Sequence, residues 1–204
     1  MKRDQRFKGR VNSGFSLVEL LISMFLILSI SSVVMTIFVA GLRGTNRASA
    51  EADVRQNGNL AMTQMSRTIR NAKNFNGVSV DGTTNFTTSC YVGSSNPTPT
   101  PQPYKAVQVD SFDGGTTTLK CPDVGETVIT SISATLAAPA SLTDSSRVIV
   151  EPGSCYFSCQ QESPTDPPVV GIHFTVESLR GSGSIGQSVN QMFETTVVPR
   201  NYLR

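Results

Sequence analysis

Residues 15–42 read FSLVELLISMFLILSISSVVMTIFVAGL, a run of 28 residues with one charge, Glu19. Nothing else in the chain constrains its fold so strongly. As an α-helix the run reaches about 42 Å at ~1.5 Å per residue, which exceeds the ~30 Å of a bilayer's hydrocarbon core. A helix lying on a soluble protein would carry a charged stripe, and this run has none. Ser16, Ser23, Ser29, Ser31, Ser32 and Thr36 can return their hydroxyl bonds to the preceding turn. The expectation is a membrane-spanning helix.

The flanks give an orientation. Lys2, Arg3, Arg6, Lys8 and Arg10 precede the run against the single acid Asp4, and such a cluster holds its end in the cytoplasm. Arg43 and Arg47 pull the other way, more weakly, so the remainder is expected outside. Without residues 1–14 the chain holds 12 basic and 14 acidic residues. The basic pI of the whole is therefore a property of its leader and not an argument for nucleic-acid binding.

A secretory signal places its small-residue cleavage site after the apolar core. Here Gly14 comes before it, and cutting there would leave the apolar helix as the new N-terminus. The run Gly14-Phe15-Ser16-Leu17-Val18-Glu19-Leu20-Leu21, behind a basic leader, resembles the processing motif of type IV prepilins. The resemblance implies that prepilin peptidase cuts between Gly14 and Phe15 and that Phe15 is N-methylated. It also implies that Glu19, the fifth mature residue, accepts the terminal amine of a neighbouring subunit during assembly. The amine of its own Phe15, one helical turn away, is a second geometric option. A carboxylate four residues into a lipid-embedded helix costs several kcal/mol unless it finds a partner. Processing would create that partner.

Beyond Leu42 the helical pattern continues. Residues 43–73 lack proline, and Val54, Gly58, Ala61, Met65, Ile69 and Ala72 recur at steps of three or four, one face of a helix. Arg43, Arg47, Glu51, Asp53, Arg55, Arg67, Arg70 and Lys73 take other positions. One long helix over 15–72 is expected, about 85 Å if straight, with Gly41, Gly44 and Gly58 as weak points and Asn74-Phe75-Asn76-Gly77 as its stop. The basic bias of 43–73 reads as a solvated face that pairs with acidic neighbours in a filament, in preference to an interface with anionic lipid. DNA is a less favoured partner, because no aromatic residues are interleaved there to stack on bases.

From residue 74 the composition turns to Thr, Ser, Val, Gly and Pro, which suits strands and turns. Candidate strands are 106–112, 117–120, 127–134, 147–150, 169–176 and 191–198, with Asp113-Gly114-Gly115 as the turn between the first two. Two proline-rich loops, 96–103 and 164–168, interrupt them. The expected fold is α+β: a long N-terminal helix whose second half packs on a mostly antiparallel sheet, the layout of pilin-like proteins. The four parts are a leader (1–14), an apolar span (15–42), an amphipathic continuation (43–73) and an exported β-rich domain (74–204).

Cys90, Cys121, Cys155 and Cys159 all follow the apolar run, an even count that suggests disulfides in an oxidising compartment. Four cysteines allow three pairings and sequence does not choose among them; adjacency in the chain favours Cys90–Cys121 and Cys155–Cys159. Cys155 and Cys159 have a spacing zinc could use, but no second close pair completes a site, so no metal and no cofactor are expected. His173, the only histidine, lies in an alternating strand pattern with no nucleophile or acid nominated beside it. Asp110-Ser111-Phe112-Asp113 lacks a full calcium-loop spacing, and Gly181-Ser182-Gly183-Ser184-Ile185-Gly186 lacks a phosphate-binding lysine. No catalytic residues and no enzymatic activity are expected.

Two further segments narrow the class. Gln64–Ala72, with Met65-Ser66-Arg67 and Ile69-Arg70-Asn71-Ala72, and the end Phe193-Glu194-Thr195-Thr196-Val197-Val198-Pro199-Arg200-Asn201 resemble minor pilins of the PilW type and J-type pseudopilins of type II secretion. The expectation is a minor structural subunit of a type IV pilus, held in the bacterial inner membrane and then drawn into a filament. Its partners would be prepilin peptidase, other pilin or pseudopilin subunits, the assembly platform and the bilayer. The alternatives are a secretion pseudopilin, or a tip module that binds DNA or surfaces.

Overall fold

The computed structural model describes residues 14–91, 103–134, 138–151, 153–179 and 188–201. The basic residues of the leader, most of the first proline-rich loop and the glycine-rich segment 181–186 lie outside them. Among the described residues the order is α1 (Leu17–Arg70), β1 (Asn74–Ser79), β2 (Ala106–Asp110), β3 (Thr116–Lys120), β4 (Thr130–Ser133) and β5 (Ala140–Ser141). Then come β6 (Val148–Val150), β7 (Tyr156–Gln160), β8 (Val169–Ser178) and β9 (Asn190–Val197). The chain forms two compact units, Met1–Thr45 and Asn46–Arg204.

In the first unit, α1 is long and apolar enough to cross a membrane. Its large side chains from Leu17 to Leu42 are exposed, apart from half-buried Val39. The hydroxyls of Ser23, Ser29, Ser32 and Thr36 donate to the carbonyls of Leu20, Phe25, Ser29 and Ser32 at 2.8–2.9 Å. An apolar medium could therefore surround this segment without stranding those donors.

In the second unit all six residues of the expected helical face are buried: Val54, Gly58, Ala61, Met65, Ile69 and Ala72. They share one core with Val107, Val109, Leu119, Phe157, Ile172, Phe174, Val176 and Phe193. Fully burying one such large apolar side chain contributes about 1.5–3 kcal/mol, and this shared interior is what requires a helix stripe of period 3.6 to meet strands of period 2.

The strands form two antiparallel sheets. One has the order β1-β2-β3-β4-β5; in the other, β8 pairs with β6 and β7 and also with β9. Tyr104 and Phe157 exchange backbone hydrogen bonds at 2.7–2.8 Å, which links the lead-in to β2 with β7. The expected hairpin turn joins β2 to β3. Ser111 N–H donates to Gly115 O at 2.9 Å, and Gly114 takes φ +85°.

Three expectations need correction. Residues 74–77 do not merely stop the helix; they begin β1, because Phe75 and Val78 are core residues. The register slips between Phe75 and Gly77. Gly77 sits at φ +125° with the Thr87 backbone where a side chain would be, so its glycine serves a bulge and not a cap. Strands β5 and β7 were unforeseen: β5 is two residues long, and β7 reads Tyr-Phe-Ser-Cys-Gln with cysteine as one of its inward residues. Finally, the disulfides are Cys90–Cys159 and Cys121–Cys155, each with Cα atoms 5.6 Å apart. Chain adjacency failed as a guide because Cys155 precedes extended strand β7 and Cys159 is its fourth residue; at ~3.3 Å per residue they are too far apart to bridge.

Candidate functional site

Four features carry the chemistry of this chain: the junction at Gly14, the acid in the apolar helix, the far end of α1, and a polar cluster on three strands.

At the junction, Gly14, Phe15 and Ser16 precede the helix and are exposed, Phe15 to 82%. Among the described residues a side chain at position 14 would meet no atom within 4 Å, and the residue has no positive φ. Neither space among those residues nor backbone conformation accounts for glycine there. Glu19 lies in the first turn of α1, where the helix dipole favours an anion. It is exposed and has no hydrogen bond or ion pair among the described residues. It follows Phe15 by one turn, and the Leu20 N–H to Ser16 carbonyl bond of 3.2 Å closes that turn.

At the far end of α1 the two segments of the second resemblance meet. Arg200 N–H donates to the Arg70 carbonyl at 3.2 Å, and Asn201 Nδ2 donates to the Ala72 carbonyl at 2.9 Å. A helix leaves its last carbonyls without internal partners, and the turn after β9 supplies donors for this one. Arg67, Arg70, Lys73 and Arg200 surround this junction with exposed side chains.

Upstream on the same helix, buried Asp53 receives Arg147 Nη1 at 3.1 Å, and Arg147 Nε lies 3.5 Å from Asp144. Asn57 Oδ1 accepts the Asp144 N–H at 3.1 Å, while its Nδ2 donates to the Asp53 carbonyl at 2.9 Å. The Ser146 hydroxyl, then its N–H, hold the Asp144 carboxyl below the usual range. These contacts fasten the turn before β6 to the helix.

His173 has neighbours that the sequence did not reveal. Ser158 Oγ on β7 is 3.3 Å from its Nε2, and Glu194 Oε1 on β9 is 3.5 Å from its Nδ1. Tyr156 stacks on the ring with centroids 4.6 Å apart. Gly171, opposite Ser158, leaves the space that the serine hydroxyl occupies. The line serine–imidazole–carboxylate has the order of an activated nucleophile. Here it joins three adjacent strands side by side, on the face opposite buried Ile172 and Phe174. Only strand register brings these residues together: His173 pairs with Tyr156 on one side and with Glu194 on the other. No spacing in the sequence encodes that. The cysteines form disulfides, and no group of three or more metal-ligating side chains occurs among the described residues.

No family model, curated protein or solved structure matches the chain.

Proposed function

We propose that this chain is a prepilin: a minor structural subunit of a type IV pilus or a related filament. On this reading prepilin peptidase cuts between Gly14 and Phe15, Phe15 is N-methylated, and residues 15–42 rest in the inner membrane before entering a filament core. The observation that carries the reading is the pairing of an exposed glycine that nothing among the described residues requires with a lone carboxylate one turn into an apolar helix. Cleavage would place a cation beside that carboxylate, and an opposite charge in a low-dielectric medium stabilises both. The two disulfides suit an oxidising compartment on the far side of the membrane.

Minor-subunit status, and its J-type pseudopilin counterpart in type II secretion, rest on the second resemblance. The bonds from Arg200 and Asn201 to the end of α1 support treating those two segments as one feature.

The deciding experiment is mass spectrometry of the N-terminus of protein purified from cells with active prepilin peptidase. The expected product begins with N-methylated Phe15, and an intact leader would end the proposal. A Glu19→Val protein should be processed and inserted yet enter filaments poorly; full incorporation would remove the role given to Glu19.

A further inference from the structure

An unpaired strand at the edge of a sheet is a template for another chain, and folded proteins shorten, cover or blunt such edges. Among the described residues the other edges here are short or occupied. β5 has two residues and β6 three. Val78 of β1 exchanges backbone bonds with Thr87 at 2.8–3.1 Å, and Phe157 of β7 does so with Tyr104 at 2.7–2.8 Å. β9 differs. Its eight residues pair with β8 in unbroken register and include neither proline nor lysine. No backbone hydrogen bond among the described residues reaches its other side. Ser178 N–H donates to Val189 O at 2.9 Å, and bonded pairs alternate along an antiparallel ladder. Asn190, Met192, Glu194 and Thr196 therefore turn their N–H and C=O groups away from β8. All four are exposed.

One segment of the chain carries the matching pattern. Residues 96–103 read Asn-Pro-Thr-Pro-Thr-Pro-Gln-Pro. In a strand, successive residues turn their backbone groups to opposite sides. Paired as a strand, Asn96, Thr98, Thr100 and Gln102 would offer their N–H groups on one side, and the prolines would leave the other side without donors. Such a strand pairs once and stops, since proline is tolerated only at an edge. Alternating prolines also favour an extended chain before binding, which lowers the cost of ordering it. Four donors at two-residue steps thus match four open residues at two-residue steps.

The segment cannot reach β9 of its own chain. Tyr104 pairs on the outer side of β7, and β9 lies on the far side of β8. A strand added to β9 would stand four strand spacings from Tyr104, about 19 Å. Gln102 is two residues from Tyr104, a reach of about 7 Å. Because the segment leaves one side of this sheet and the open edge is on the other, a second copy alongside in the same orientation brings them together. We propose that β9 accepts residues 96–103 of a second copy as an added strand, a head-to-tail contact. The contact needs only the second unit and not the Gly14 junction, so this proposal and the prepilin reading fail separately.

The test uses the full chain in proteoliposomes, mixed from isotopically light and heavy copies, with the photo-crosslinker benzoylphenylalanine in place of Thr98. Mass spectrometry should find it joined to residues 190–196 of the other isotopic copy. A fluorescent synthetic peptide of residues 94–104 should bind the unsubstituted chain in nanodiscs and slow hydrogen exchange at Asn190, Met192, Glu194 and Thr196. N-methylation of the peptide at Thr98 and Thr100 removes two donors and should weaken binding on the order of tenfold. Thr196→Pro removes one outward N–H and leaves the bonds to β8 in place, so it should weaken binding at an unchanged melting temperature. The methylated peptide probes the same bonds with the protein unaltered, which separates loss of contact from loss of fold. Crosslinks confined within single copies overturn the proposal. So does equal binding of the methylated peptide, protection away from β9, or the absence of both crosslink and peptide binding.

Discussion

Gly58 on α1 lies beneath the ring of Phe193 on β9, so close that a β-carbon at position 58 would clash with three ring atoms. The ring in turn stacks on Phe174 of β8, centroids 5.4 Å apart. What reads in the sequence as a weak point of the helix is where an aromatic ring of the sheet sits against its backbone.

A larger side chain at this position should therefore cost more than its helix propensity suggests. Gly58→Leu is expected to lose about 1–3 kcal/mol through overpacking, although leucine is the better helix former. In a Phe193→Ala background the penalty should shrink, giving a coupling energy above about 0.5 kcal/mol. Urea unfolding of the four proteins reads this directly, and additivity would refute the contact.

The disulfide pairing can be checked by chymotryptic cleavage of the unreduced chain, which separates Cys155 from Cys159 after Tyr156 or Phe157. Linked fragments should join Cys90 to Cys159 and Cys121 to Cys155. Removing either bridge by paired Cys→Ala changes should cost about 4 kcal/mol on the loop-entropy model, seen as a lower denaturation midpoint.

Arg147 is the cation for Asp53 on the buried side of α1. Arg147→Ala should destabilise by roughly 1–3 kcal/mol, the cost of withdrawing a partner from a buried charged group. Asp53→Asn in the same chain should recover part of it. An unchanged melting temperature for the single variant would show that the pair contributes nothing.

Acid should destabilise the second unit. Asp81 is held below its usual range first by the Ser79 hydroxyl and then by the Thr83 N–H. Asp123 is held there by Lys105 and then Lys120, and Asp144 by Ser146. A carboxyl with a depressed folded-state pKa contributes stability above its unfolded value, ~3.9, and loses it as pH falls toward the folded value. Lys120 is raised, chiefly by its bond to Asp123, so its contribution is present below ~10.4 and fades only above that. Thermal melts should be level from pH 8 to about 5 and fall below about pH 4. A fall that begins at pH 6 would point to another group.

Much of this architecture is legible in one dimension. A run such as 15–42 has few alternatives to a long helix, since its length and lack of charge leave no soluble face. The stripe from Val54 to Ala72 announces its own burial because period 3.6 puts those residues on one side. Strands β2, β3, β8 and β9 follow from alternation.

The unforeseen elements depend on distance through space. Cys159 within β7 and Cys155 just before it are tied to Cys90 and Cys121, 69 and 34 residues away, so the strand's place could not be read locally. Ser158, His173 and Glu194 become neighbours only when three strands take one register, and a slip of one residue would turn them to opposite faces. The same holds for Arg200, which joins the helix end only because β9 returns there. Sequence determined the long helix, its apolar run with one carboxylate and most of the strands, because those depend on local periodicity and composition. Tertiary structure decided the bridges, the clusters and the residue under Phe193, because contacts between distant residues are set by packing and register.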